Sequence, residues 1–134
     1  MSGCTDLRNL LSNMKPQLSD EEFVFCAVPG ELFGRLQAEP IGWFREAEGI
    51  SVIIERGAAQ EAGLSCDFVC RLIVLSVHSG LDAVGFSAAV TGRLAAAGIS
   101  ANLVAGYHHD YVFVPAADAD TAMAELLDLM HESR

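Results

Sequence analysis

Arg71-Leu72-Ile73-Val74-Leu75-Ser76-Val77 is an almost unbroken apolar run, and the order of elements that follows it constrains the fold more than any other feature. A strand that is apolar on both faces belongs in the middle of a sheet. After the loop His78-Ser79-Gly80-Leu81-Asp82, residues 84–97 place Phe86, Val90, Leu94 and Ala97 on one helical stripe, and Gly98 marks the stop. Residues 99–105 and 111–114 read as strands, split by Gly106 and ended by Pro115. Asp118 stands where it can cap a last helix, whose stripe is Ala122, Met123, Leu126, Leu127 and Met130. Strand, helix, strand, strand, helix is one strand short of a βαββαβ sheet covered by helices on one face. The chain has no further strand after that helix, so the fourth is expected from its first half.

That first half is patterned more weakly. Leu7, Leu10, Leu11 and Met14 recur at helical spacing between Thr5-Asp6 as a cap and Pro16 as a stop. Phe23-Val24-Phe25-Cys26-Ala27-Val28, closed by Pro29-Gly30, reads as a buried strand, and Ile50-Ser51-Val52-Ile53-Ile54-Glu55 as another. Residues 57–62 make a single helical turn ended by Gly63. The stretch 31–48 predicts only a short strand or turn around 32–36 and another near Trp43. No Pro-, Gly- or Ser-rich linker separates the halves, so they are expected to intertwine.

The 134 residues suffice for one core without metal or disulfide support. With 51% hydrophobic and 19% charged residues, the composition is that of a globular protein. Eight Lys plus Arg against eighteen Asp plus Glu leave a formal charge of −10. No basic cluster exists to displace counterions, so nucleic acid and anionic membrane surfaces are excluded as partners. No apolar run approaches the roughly 20 residues that span a bilayer. Met1-Ser2-Gly3-Cys4-Thr5-Asp6 lacks the basic and apolar regions of a signal peptide, which predicts a cytoplasmic protein. Cys4, Cys26, Cys66 and Cys70 have neither zinc-ribbon nor redox spacing and are expected to be free thiols.

The groups that could carry chemistry are few. In His108-His109-Asp110 an extended backbone would put His108 and Asp110 on one face and His109 on the other. A metal needs converging ligands, and only His78 could join them in space, so no metal site is expected. The loop 76–86 opens a helix, where unpaired N–H groups and the positive dipole end attract carboxylates and phosphates. It resembles loosely the loop of acylphosphatases, but Ser87 stands where that chemistry wants an arginine. Ser79, His78 and Asp82 are loop neighbours that cannot form a linear acyl-transfer relay. Cys26 and Cys70 sit in apolar strand contexts that keep a thiol protonated and inert. Trp43-Phe44 is expected to be core or a dimer contact. No enzymatic activity and no cofactor is expected.

Ile99-Ser100-Ala101-Asn102-Leu103-Val104-Ala105-Gly106-Tyr107-His108-His109-Asp110-Tyr111-Val112-Phe113-Val114-Pro115 is similar to the second and third strands of ACT domains in aspartate kinases and cytosolic arginine sensors. Phe44-Arg45-Glu46-Ala47-Glu48-Gly49-Ile50-Ser51-Val52-Ile53 resembles the segment that closes the preceding half of those proteins. The whole chain looks like a small stand-alone bacterial protein of two ACT-like units. The resemblance implies an α+β, ferredoxin-like βαββαβ fold, with an atypical unit over residues 1–66 sharing a strand with an ACT domain over residues 67–134. It also implies a non-catalytic regulatory protein binding a small ligand, an amino acid, and assembling as a homodimer or higher homo-oligomer. Carried over by position, the ligand loop is His78, Ser79, Gly80, Leu81, Asp82, Val84 and Gly85, faced by Ile99, Tyr107 and Asp110. Gly106 departs from the pattern, replacing the serine common before the aromatic residue. The alternative is an oligomerisation or partner-binding module whose ligand site no longer works.

Overall fold

The run at Phe23 is only the second half of a longer strand, β1 (Pro16–Val28), in a computed structural model that describes residues 6–134. Pro16 is tolerated because the first strand position needs no ladder donor. The other elements are α1 (Leu7–Ser12), α2 (Gly30–Phe33), β2 (Gly42–Glu46), β3 (Gly49–Glu55), α3 (Arg56–Glu61), β4 (Val69–Leu75), α4 (Phe86–Ala96), β5 (Asn102–Ala105), β6 (Asp110–Pro115) and α5 (Ala119–Glu132). Cys4 and the Thr5 half of the expected α1 cap lie outside the described residues. Asp6 supplies the cap itself, accepting from the Asn9 backbone N–H at 2.9 Å.

The chain packs as two compact units, Met1–Asp20 with Arg71–Arg134, and Glu21–Cys70. In the first, strands run in the order β1-β4-β6-β5, with β1 represented by its opening residues 16–20. The strand missing from the second half of the sequence is therefore supplied by the first half. Arg71 secures it, donating from Nε and Nη2 to the Ser19 carbonyl at 3.0 and 2.6 Å. Helices α1, α4 and α5 cover a core in which Leu10, Ile73, Leu94, Val112, Ala122 and Leu126 are fully or almost fully buried. Arg93 of α4 ties α5 through Glu125 at 2.8 Å and Glu132 at 2.9 Å. The last helix is entered through a 3-10 turn, Ala116–Asp118, and Asp118 makes no side-chain cap. The φ and ψ of Asp118, −101° and 4°, are not the extended conformation from which a cap side chain reaches forward.

In the second unit β3 pairs antiparallel with both β1 and β2. The register sets Val24 opposite Ile54, Cys26 opposite Val52 and Val28 opposite Ile50, and these six side chains with Ala59 form its core. Where a strand or turn was expected around 32–36, the chain makes one helical turn, α2, set by the φ of −63° that Pro29 brings to its N-cap. Trp43 and Phe44 are 50% and 74% exposed and lie outside the core, because β2 is an edge strand whose side chains face solvent.

Both α3 and α4 stop in the same way. Gly98 turns left-handed (φ 76°), its N–H donates to Ala95, and the Ile99 N–H reaches back to the Leu94 carbonyl at 2.9 Å. Gly63 (φ 72°), Gln60, Leu64 and Ala59 repeat that arrangement. This double bond pattern with an apolar residue after the glycine satisfies the orphan carbonyls of the helix end.

The described thiols are free. Burial pushes the Cys70 thiol up to about 11, and it donates to the Phe23 carbonyl at 3.3 Å. Burial, followed by the neighbouring Cys66 and Asp67, raises Cys26 as well. At pH 8 a thiol of pKa 11 is thiolate in only about one molecule in a thousand, and the thiolate is the nucleophile. Iodoacetamide is therefore expected to leave Cys70 unmodified in the native chain and to label it fully in denaturant. Peptide mass mapping checks this; equal native and denatured labelling of Cys70 would refute its burial.

Candidate functional site

β4 ends at Leu75, and the next residue is pinned at once. The Ser76 N–H donates to the Met14 carbonyl at 2.7 Å, and its hydroxyl to the Lys15 carbonyl at 3.0 Å. From this anchor the loop runs to Gly85, which caps α4 in the left-handed region without any side-chain cap. The first-turn N–H groups of α4 are left to other acceptors, with the positive end of the helix dipole behind them. Within the loop, Ala83 closes a turn onto the Gly80 carbonyl at 3.0 Å, which lifts Leu81 and Asp82 to the surface.

The facing segment is the turn between β5 and β6. Gly106 donates its N–H to the His109 carbonyl at 2.9 Å, so residues 106–109 fold back instead of extending. The His108 and Asp110 side chains therefore do not share a strand face, as an extended backbone would require. Asp110 is buried as the first residue of β6, while His108 is exposed.

The two segments meet in one polar contact. The Ser79 hydroxyl donates to Asp110 Oδ2 at 2.7 Å, with the two residues only 8% and 4% exposed. Around this pair the rings of His78, Tyr107 and His108 gather. His78 lies 5.5 Å from His108 and 6.3 Å from Tyr107, and Tyr107 meets His108 edge-on at 5.1 Å between centroids. His109 Nδ1 is buried and has no hydrogen-bond partner among the described residues. Leu81, Val84 and Tyr107 project outward, 66%, 83% and 58% exposed.

Of the positions singled out in the sequence, the structure brings His78, Ser79, Tyr107 and Asp110 together. Gly80 is buried beneath the loop, and Leu81, Asp82, Val84 and Gly85 line its outer course. Ile99 goes elsewhere: it is the anchor of the α4 stop and lies in the core at 5% exposure. The Ser79–Asp110 bond links two positions of which each is visible in the sequence, but their pairing is not.

Ser79 gives its proton to a carboxylate, not to an imidazole, so among the described residues it is not paired as the nucleophile of a nucleophile–base–orienter relay. Among the described residues no group of three His, Cys, Asp or Glu side chains is placed to hold a metal ion. None of their helices is long and apolar enough to cross a membrane.

A family model described as ACT domain matches residues 2–71, and a second of the same description matches residues 67–128. No curated protein matches the sequence. Among solved structures, a Vibrio cholerae protein of unknown function, described as a possible transport protein, is 44% identical. It covers 92% of this chain and 95% of its own length, with a TM-score of 0.83. The regulatory subunit of aspartate kinase from Thermus flavus is 9% identical over 96% of this chain and 99% of that one, at a TM-score of 0.64. Clostridium acetobutylicum aspartate kinase is 10% identical over 87% of this chain and 34% of its own, at 0.63. At those identities the two kinase likenesses concern the fold.

Proposed function

The chain belongs to the ACT domain family, and from that premise we propose that it is a non-catalytic regulatory protein that binds an amino acid between the β4–α4 loop and the β5–β6 turn. In this reading residues 1–66 and 67–134 are its two ACT-like units, the protein is cytoplasmic, and it works as a homo-oligomer. The observation that carries the site is Asp110. A carboxylate only 4% exposed, whose hydrogen-bond partner is the neutral Ser79 hydroxyl, has among the described residues no cation of the kind that burial of a charge calls for. A ligand ammonium supplies it. The ligand carboxylate docks on N–H groups around Val84 and Gly85, where α4 has no side-chain cap. Leu81, Tyr107 and His78 then sort the ligand side chain.

Such a site suits dissociation constants of about 1 µM to 1 mM, or roughly −8 to −4 kcal/mol. Binding regulates only as far as the ligand prefers one assembly state over another. Calorimetric titration with the twenty amino acids tests the reading, and silence from all of them at millimolar concentration would sink it. Asp110→Asn keeps an acceptor for Ser79 and removes the charge. It is expected to weaken the responding amino acid by about tenfold to a hundredfold, the range for a hydrogen bond to a charged group. The exposed Trp43 and Phe44 on the edge strand β2 favour a second reading, a module for association alone. Under it no amino acid binds, and Asp110→Asn leaves self-association unchanged.

A further inference from the structure

The unit Glu21–Cys70 holds a cavity that the loop site does not use. In the other unit the helix after the first strand of the ACT pattern, α4, has 11 residues and buries Phe86, Val90 and Leu94. The corresponding helix here, α2, has 4 residues and buries none. Residues 34–41 return to β2 without helical structure, so the floor they cover is incompletely filled. A cavity of about 280 Å³ results, with Ile54 of β3 and Ala58 of α3 at its base and Leu32 and Leu36 as apolar walls. A second cavity of about 330 Å³ shares Ala38, Ile54 and Ala58 with it and extends the apolar floor to Phe23 and Ile41. Ligand sites of this character are mostly apolar with a few placed polar groups, and run from roughly 300 Å³ upward. The two cavities, which share three lining residues, together reach the lower end of that range.

Its charges define an end and a direction. Arg35 is exposed and is the one cation among the residues lining either cavity. Among the described residues its guanidinium makes no ion pair and no hydrogen bond. That is unexpected on a chain of net charge −10 with eighteen acidic side chains. The far cavity is rimmed by Glu39 and Glu55, which exclude an anion there. Glu61 stands on the near rim with Arg35.

We propose that this cavity is a second ligand site, taking an aliphatic monocarboxylate. The carboxylate pairs with Arg35 in a bidentate fork, the geometry for which a guanidinium is built. The branched or linear apolar body lies over Ile54 and Ala58. The same chemistry is presented by a simple carboxylic acid and by an aliphatic amino acid, and Glu61 distinguishes them, since only the amino acid has an ammonium to offer it.

The test uses the full chain with 4-methylpentanoate, L-leucine and 4-methylpentanol, followed by calorimetry and by methyl resonances of Ile54 and Ala58. Expected are saturable shifts at both methyl positions with 4-methylpentanoate and none with the alcohol. Arg35→Ala, at an exposed position, is expected to weaken the acid by about tenfold to a hundredfold. Asp110→Asn should leave this binding unchanged, so loss of the loop site and loss of this one are read separately. L-leucine binding more tightly than the acid, with the advantage removed by Glu61→Gln, identifies the amino acid as the natural form; equal binding identifies the carboxylate alone. No shift at Ile54 and Ala58 at millimolar ligand, or an affinity indifferent to Arg35→Ala, overturns the proposal.

Discussion

Leu126→Ala is expected to destabilise the chain by about 2–5 kcal/mol, the range for emptying a fully enclosed leucine site. Leu126 is 0% exposed on the inner stripe of α5, in one core with Val90 and Leu94 of α4, Ile73 of β4 and Leu10 of α1. Elements on several sides meet there, so none can collapse into the gap without disturbing the others. Small domains have only about 5–15 kcal/mol in total, so a loss of this size is a large part of the whole. Urea denaturation reads it as a lower midpoint at unchanged slope. Leu81→Ala, in the loop and 66% exposed, serves as the contrast and should stay within about 0.5 kcal/mol. Equal effects from the two substitutions would contradict the division between a packed core and a surface loop.

That division explains how much could be read from residues alone. The stripes of α4 and α5 were legible because each helix buries one face against its own unit, and burial imposes the 3.6-residue period. β4 was legible because both of its faces are covered. The opening of β1 was not, since Gln17, Ser19, Asp20, Glu21 and Glu22 carry no strand pattern. Its place is decided by pairing with a strand some fifty positions away, marked by Arg71 on the Ser19 carbonyl. What the sequence did contain was the need for it: a strand, helix, strand, strand, helix order that cannot close without one more strand. Residues 31–48 were opaque for another reason, since a one-turn helix is too short to show any period.

The candidate loop was legible in the sequence, and its contacts were not. A loop after a central strand and before a helix is recognisable from Gly80, Gly85 and the start of the α4 stripe. Ile99 shows the limit. Read as the start of a strand, it faces a ligand; read with Gly98 and Leu94, it is the apolar residue that follows a left-handed helix stop. The second reading is the one the hydrogen bonds support, and the pattern of glycine plus a buried apolar residue was there to be seen. The cavity beside Arg35 carried no such signal, because a cavity is made by what a short helix fails to fill.

Gly106→Ala is the substitution expected to damage fold and site together, by about 1–3 kcal/mol, the usual cost of forcing extra volume into a filled place. The reason is space and not backbone torsion, since Gly106 is not among the left-handed glycines. A Cβ at this position would stand 2.9 Å from the His109 carbonyl oxygen and 2.9 Å from Cε2 of Tyr111. The Tyr111 ring has some freedom, being only partly buried, but the carbonyl has little, because it accepts the hydrogen bond of Gly106 itself. Relief therefore requires the turn to open. The turn carries Tyr107 and His108 and sets the start of β6 at Asp110, so the Ser79 contact should loosen with it. A lowered urea midpoint is expected, and under the proposed function a loss of amino-acid affinity in the same variant. Tyr111→Ala in that background should restore only part of the stability, since the carbonyl contact remains. Retention of both midpoint and affinity would show that the turn yields freely. A serine brings the same Cβ, so Gly106→Ser should fare no better than alanine.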